Sequence, residues 1–210
     1  MIFIENIFVC LVGTLIIAAL IARGKSRPNF LFVAIGMGSC LLSAYINTFF
    51  AVHYGADMLT AAIEIAPVCE EILKLLPLLF YVLIFEPKTE DACNAMIAIN
   101  VGFATFENVS YLTQNNTATL THLLVRGFGV SAMHMTAGVI VGYGLFYVWR
   151  EPWLKFAGTL GLLCTAITFH AIFNMLVSMT GAIQIFGYAL PVLSIIAFVL
   201  LEKKMRQVAA

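Results

Sequence analysis

Charge is scarce in this sequence. Its 210 residues hold 11 Lys and Arg, 11 Asp and Glu and 4 His, so only 10% are charged. A soluble domain of this length needs far more polar side chains to cover its surface. The chain therefore reads as one integral membrane domain, 1–210, with no separate soluble unit. Net charge is zero, which removes any global-charge argument for nucleic acid or an acidic partner, and no nucleic-acid partner is expected. Clustered cysteines are lacking too. Cys10, Cys40, Cys69, Cys93 and Cys164 are scattered through apolar stretches without a CxxC spacing, which reads as small packing residues. Only Cys69, beside Glu70, has a reactive thiol as its minority reading. A basic leader is absent, with Glu5 where a signal peptide would carry Lys or Arg, so the first apolar run is expected to stay as a spanning helix. No internal repeat, low-complexity tract or linker interrupts the chain, and the HExxH motif of soluble zinc proteases does not occur.

Apolar residues make up 62% of the sequence, and the mean hydropathy is +1.00. The apolar runs divide into seven expected spans, 2–22, 30–53, 58–85, 92–113, 119–149, 153–179 and 182–202. Each is near or above the roughly 20 residues that cross a hydrocarbon core. They must be helical, because lipid cannot satisfy an open backbone. The breaks carry turn or charge signals such as Tyr54-Gly55-Ala56-Asp57 and Arg150-Glu151-Pro152. Gly127 and Gly129 near the start of the fifth span suggest a short interfacial helix before the true span. Basic residues segregate cleanly over this count. Arg23, Lys25, Arg27, Lys88, Arg150, Lys155, Lys203, Lys204 and Arg206 fall on one side, and the short loops of the other side hold none. The positive-inside rule then places the N-terminus outside and the C-terminus in the cytoplasm. Trp149 and Trp153 flank an inner loop as belt anchors, and Asn115-Asn116-Thr117 matches a glycosylation acceptor on an outer one.

Against this background the ionisable residues inside spans stand out. Such groups are costly in a bilayer and normally face a bundle interior or a watery cavity. Span three holds Glu70, Glu71 and Lys74, so that one lysine at i+4 and i+3 faces either acid. Span four holds Glu107 and Asn108, with Tyr111 one turn on. Span five holds His134 followed by Gly138, and span six holds His170 and Asn174 on one face. At 1.5 Å per residue the four groups lie roughly 9–23 Å from the outer span ends. Acids and histidines from four helices are thus expected to meet in one cavity opening outward. Lys74 and Arg126 are the basic residues left inside spans, and Arg126 either snorkels to the outer headgroups or pairs with an acid. His53 and His122 fall near outer span ends and read as interfacial.

This inventory suits a hydrolase. Imidazole nitrogens and carboxylate oxygens bind zinc, and a catalytic zinc site keeps one position for water. A second carboxylate takes that water's proton, and an amide such as Asn174 supports an oxyanion. Two adjacent carboxylates do not both ionise cheaply, so Lys74 neutralises one and leaves the other for chemistry. The residues alone do not say which of Glu70 and Glu71 is which. An ion-pair cluster that merely locks helices, and a packed interhelical histidine at 134, are the bland alternatives.

The residues Glu70-Glu71-x-x-Lys74, Gly102-Phe103-Ala104-Thr105-Phe106-Glu107-Asn108 with Tyr111, His134 with Gly138, and His170-x-x-x-Asn174 follow one another on consecutive spans. In that order the sequence resembles the PrsW family of intramembrane proteases, related to the CAAX protease and bacteriocin-processing group. The broader group usually pairs EExxxR with FxxxH and HxxxN. Here the basic residue is one position nearer, and Glu107 stands where the group's histidine falls, which favours the PrsW branch. The resemblance implies an intramembrane endopeptidase acting as a site-1 protease on a membrane-anchored protein such as an anti-sigma factor. It would cleave near the outer side of a plasma membrane, most simply a bacterial one. On this reading Glu70, Glu71 and Asn174 are catalytic, Lys74, Asn108 and Tyr111 support them, and Glu107, His134 and His170 bind zinc. A metal-free glutamate mechanism stays open, as do a proton- or metal-coupled transporter and a non-catalytic membrane scaffold or immunity protein.

Overall fold

A computed structural model describes residues 3–22, 24, 26–114 and 119–208. Arg23, Lys25 and Asn115-Asn116-Thr117 lie outside the described residues, as do the side chains of Lys203, Lys204 and Arg206. The described chain is all helical. Its seven rods are α1 (Ile4–Ile21), α2 (Ser26–Tyr54), α3 (58–85), α4 (Thr89–Gln114), α5 (Leu120–Val148), α6 (Leu154–Ser178) and α7 (Ala182–Val208). Every expected span is found as a helix, with most ends within a few residues of the apolar limits. The turns follow local chemistry. Gly55 and Gly181 take φ of +63° and +71°, a region open to glycine at no steric cost. The Asp57 carboxylate caps α3 by accepting from Thr60 N at 2.7 Å, and the Thr119 hydroxyl caps α5.

One expectation is corrected. Helix α5 runs unbroken from Leu120 to Val148, with no interfacial break at Gly127 and Gly129. Both glycines serve close approach instead. A Cβ on Gly129 would meet the Tyr188 ring at 2.5 Å, and the Gly127 carbonyl accepts from Asn108 at 3.4 Å.

Five helices, α1, α2, α5, α6 and α7 as far as Leu200, are long and apolar enough to cross a membrane. Helices α3 and α4 fall outside that set and carry Glu70, Glu71, Lys74 and Glu107. Helix α4 occupies the interior, whereas α3 turns Glu71, Lys74, Leu75 and Leu78 inward and leaves Leu76, Phe80 and Leu83 exposed. Ile99, Phe103 and Phe106 of α4 are essentially shut from the surroundings, and α4 packs on both α2 and α5. Close contact with α2 is set by two glycines. A Cβ on Gly102 would stand 2.0 Å from the Val33 carbonyl oxygen, and one on Gly36 would stand 2.0 Å from that of Ile99. Small residues at such crossings let helix backbones touch where lipid gives no hydrophobic driving force.

Three apolar clusters surround the polar residues. Phe32, Leu75, Leu78, Met96, Ile99, Val141 and Leu145 form one. Met37, Cys40, Phe103 and Phe106 form another, covered by Ile4, Ile7, Phe8 and Leu11 of α1. Val130, Met133 and Phe173 form the third, against Tyr188 of α7. Among the described residues the cysteines form no disulfide.

Candidate metal centre

Helix α3 turns Glu71 and Lys74 inward, and both are almost fully enclosed. Lys74 Nζ donates to Glu71 Oε1 at 2.6 Å and to His134 Nδ1 at 3.0 Å. It also lies 4.9 Å from the centroid of the Phe103 ring. The same Glu71 Oε1 accepts from His170 Nδ1 at 2.8 Å. One buried lysine and one buried carboxylate thus orient a histidine from α5 and a histidine from α6. The two imidazoles stand nearly perpendicular, centroids 5.2 Å apart.

These bonds fix which nitrogen carries the proton. With Lys74 as an ammonium, His134 Nδ1 is the acceptor, so Nε2 bears the hydrogen and donates to Glu107 Oε2 at 2.6 Å. With Nδ1 donating to Glu71, His170 has a bare Nε2. That nitrogen lies 3.8 Å from Glu70 Oε2, a buried carboxylate oxygen with no hydrogen-bond partner. Two lone-pair atoms therefore face each other in a buried place with no donor between them. Buried acceptors are normally satisfied, and a cation satisfies this pair. One donor atom from each of Glu70, His134 and His170 lies within 4.8 Å of the other two; Glu70 and His170 present bare lone pairs, and His134 Nε2 joins them by releasing its hydrogen as a metal binds. Two imidazoles and a carboxylate are the donor set that zinc takes at catalytic sites. The residues fit a metal ion.

A cavity of about 320 Å³ opens beside these donors, lined by Glu70, Glu107, Arg126, His170 and Asn174 among others. Glu71 and Lys74 stand behind this wall. Arg126 pairs with an acid: Nη2 donates to Glu107 Oε1 at 3.1 Å and Nη1 to Asn108 Oδ1 at 2.9 Å. Its guanidinium stacks on the Tyr111 ring at 3.6 Å. The Tyr111 hydroxyl meets His122 Nε2 at 3.1 Å, and Asn108 Nδ2 reaches Ser131 Oγ at 3.2 Å. This outer layer holds Glu107 from the side away from His134.

Residues expected from the sequence thus meet as a cluster: Glu70, Glu71, Lys74, Glu107, His134 and His170. Tyr111 and Asn108 support the cluster through Arg126. Asn174 lies on the cavity wall, with Nδ2 donating to the Ala62 carbonyl at 2.8 Å. Glu107, expected as the third ligand, bonds His134 and Arg126, and the third donor drawn close to both histidines is Glu70. Two residues were missed. Asn47 of α2 donates to Glu70 Oε1 at 3.3 Å, and its only signal was an amide inside an apolar span. Asn100 of α4 is fully buried, and a Cβ on Gly138 would meet its Nδ2 at 2.3 Å. That contact accounts for a glycine one turn after His134.

A family model described as PrsW family intramembrane metalloprotease matches residues 26–201. Comparison with curated proteins and with solved structures gives no match.

Proposed function

Since the chain belongs to the PrsW family of intramembrane metalloproteases, we propose that it hydrolyses a peptide bond of a membrane-anchored protein at the cavity beside Glu70, His134 and His170. The observation that carries this reading is the bare His170 Nε2 facing the unpartnered Glu70 Oε2 at 3.8 Å on a cavity wall. Glu70, His134 and His170 would hold the metal, with zinc as the ion that suits the donor set. A zinc ion bound there supplies Lewis-acid polarisation and lowers the pKa of a water.

The rest of the chemistry belongs to this chain's side chains. Glu107 Oε2, 2.6 Å from His134 Nε2, is the atom placed to take a proton from the attacking water and return it to the leaving amine. Arg126 fixes the plane of Glu107 by donating from Nη2 to its Oε1 and from Nη1 to the neighbouring Asn108. Glu71 and Lys74 stay behind the wall and set the imidazole tautomers, as carboxylates behind metal-bound histidines do. The Asn174 carboxamide supplies an N–H for the developing oxyanion. In this assignment Glu70 takes the ligand role and Glu107 the base role, the exchange of what the sequence motifs suggest.

All seven helices are proposed to span the membrane as a single integral domain, 1–210, with its motif-bearing part at 58–179. The N-terminus lies outside and the C-terminus in the cytoplasm, from the distribution of Lys and Arg. The cavity then faces the outer half of a plasma membrane, which suits a site-1 cut in a single-span protein such as an anti-sigma factor. A metal-free mechanism is the second reading, because the gap between His170 Nε2 and Glu70 Oε2 also brackets one water. The experiment is cleavage of a single-span reporter in proteoliposomes by wild type, Glu70→Gln and His170→Ala. Loss of cleavage in both variants with folding retained supports the reading, and undiminished cleavage in both rejects it.

A further inference from the structure

The start of α3 has a backbone irregularity that leads straight to Asn174. Residues Ala61–Ile65 are π-helical, a form that occurs mostly as single turns and often at functional sites. In this register Ala66 N donates to the Ala61 carbonyl, five residues back. Ala66 is therefore taken from the Ala62 carbonyl, its partner in a regular α-helix. The next donor in the π register would be residue 67, and Pro67 has no N–H. Sequence and register together leave the Ala62 carbonyl without a main-chain donor, and the Asn174 Nδ2 fills the place at 2.8 Å. Ala62, Ala66 and Asn174 line the same cavity as Glu70 and His170.

We infer that the Ala62 carbonyl is a docking point for the main chain of an unwound peptide substrate, and that its occupation releases Asn174 to the reacting carbonyl. The inference rests on the protease reading above. A spanning substrate arrives as a helix whose backbone groups are all paired. Unwinding it to expose one peptide bond frees N–H groups that lipid cannot satisfy. A carbonyl on the cavity wall, kept free of a main-chain donor by Pro67, accepts one of them. The N–H that arrives displaces the carboxamide, and Asn174 then turns its donor toward the oxygen of the scissile bond. At rest the same carboxamide keeps the π-helical stretch fixed to α6. Asn174 is thus an oxyanion donor with a second, resting partner, and the ligand class recognised at Ala62 is an extended peptide backbone rather than a side chain.

The test is a double-mutant cycle on the full chain in detergent, with wild type, Asn174→Ala, Pro67→Ala and the double variant. Melting temperature and cleavage of a single-span reporter are both read. Asn174→Ala is expected to lower Tm by a few degrees, because the Ala62 carbonyl loses its donor. Pro67→Ala restores a backbone N–H to that carbonyl, so most of the Tm loss disappears in the double variant. The kinetics separate the two partners. Pro67→Ala raises KM several-fold because the chain now occupies its own docking point, whereas Asn174→Ala lowers kcat about 10²-fold or more. That kcat loss persists in the double variant. Asn174→Asp, which keeps the shape and removes the donor, repeats the pattern if the alanine variant folds poorly. Equal Tm losses with and without Pro67 overturn the inference, as does a double variant with wild-type turnover. If wild type cleaves no reporter, the protease reading fails and the docking role with it, while coupling in Tm shows separately whether Asn174 holds Ala62.

Discussion

His170 Nδ1 lies 2.8 Å from Glu71 Oε1, joining α6 to α3 across 99 residues of sequence. The same oxygen takes Lys74 Nζ at 2.6 Å, so one carboxylate both orients a histidine and neutralises a buried ammonium. Two different outcomes follow for two substitutions. Glu71→Gln keeps the shape and an acceptor oxygen but removes the charge, and zinc affinity should fall about 10–100-fold, measured by chelator competition. Glu71→Ala leaves the buried Lys74 without its counter-charge, and should destabilise the protein by about 3–5 kcal/mol. Burial of both partners argues for a clear drop in melting temperature.

Gly102 and Gly36 each press against a backbone carbonyl of the partner helix, at 2.0 Å for an added Cβ. A carbonyl on a packed helix cannot move aside as a flexible side chain can. Gly102→Ala should therefore cost about 1–3 kcal/mol or more and displace Glu107, one and a half turns further along α4. Gly13→Ala is the control, since nothing stands within 4 Å of an added Cβ there. Melting temperatures of the two variants in one detergent decide it, and equal values would show that α2 and α4 do not pack this closely.

Arg126 holds Glu107 and Asn108 with separate guanidinium nitrogens while stacking on Tyr111. Lysine has no fork with which to make these contacts together. Arg126→Lys is expected to lower kcat about tenfold or more, because the base loses its fixed plane, while bound metal stays at the wild-type level. Metal loss in this variant would instead place Arg126 behind a ligand.

Glu70 and Glu107 are separable by composition as well as by rate. With Glu70 as the ligand, Glu70→Gln loses metal and Glu107→Gln keeps it while losing cleavage. The reverse pattern, with metal lost only in Glu107→Gln, would assign Glu107, His134 and His170 as the ligand set.

The helices were legible in the sequence because their apolar runs are long, and most of the breaks between them carry glycine, proline or charge. The cluster was legible for the same reason, since an ionisable side chain inside such a span needs a partner. The partners themselves were not legible. Spacing puts Glu70 and Glu71 equally near Lys74, and only the rotation of α3 shows that Glu71 faces inward while Glu70 lines the cavity. Arg126 sits 18 and 19 positions from its two partners, and that pairing depends on how α4 and α5 meet. The π-helical stretch before Pro67 has no hydropathy signal, because the sequence Ala61-Ala62-Ile63-Glu64-Ile65 suits a regular helix equally well. Gly127 and Gly129 misled for the opposite reason, since glycine marks both a helix break and a close contact.

Metal content of the purified, detergent-solubilised protein, wild type beside His170→Ala, tests the metal site most directly. His170 offers its bare Nε2 to the centre, so one zinc per wild-type chain and none in the variant is the expected result. A wild-type protein that cleaves its substrate with no metal bound would contradict a metal centre, and would leave Glu70 and His170 holding a water between them.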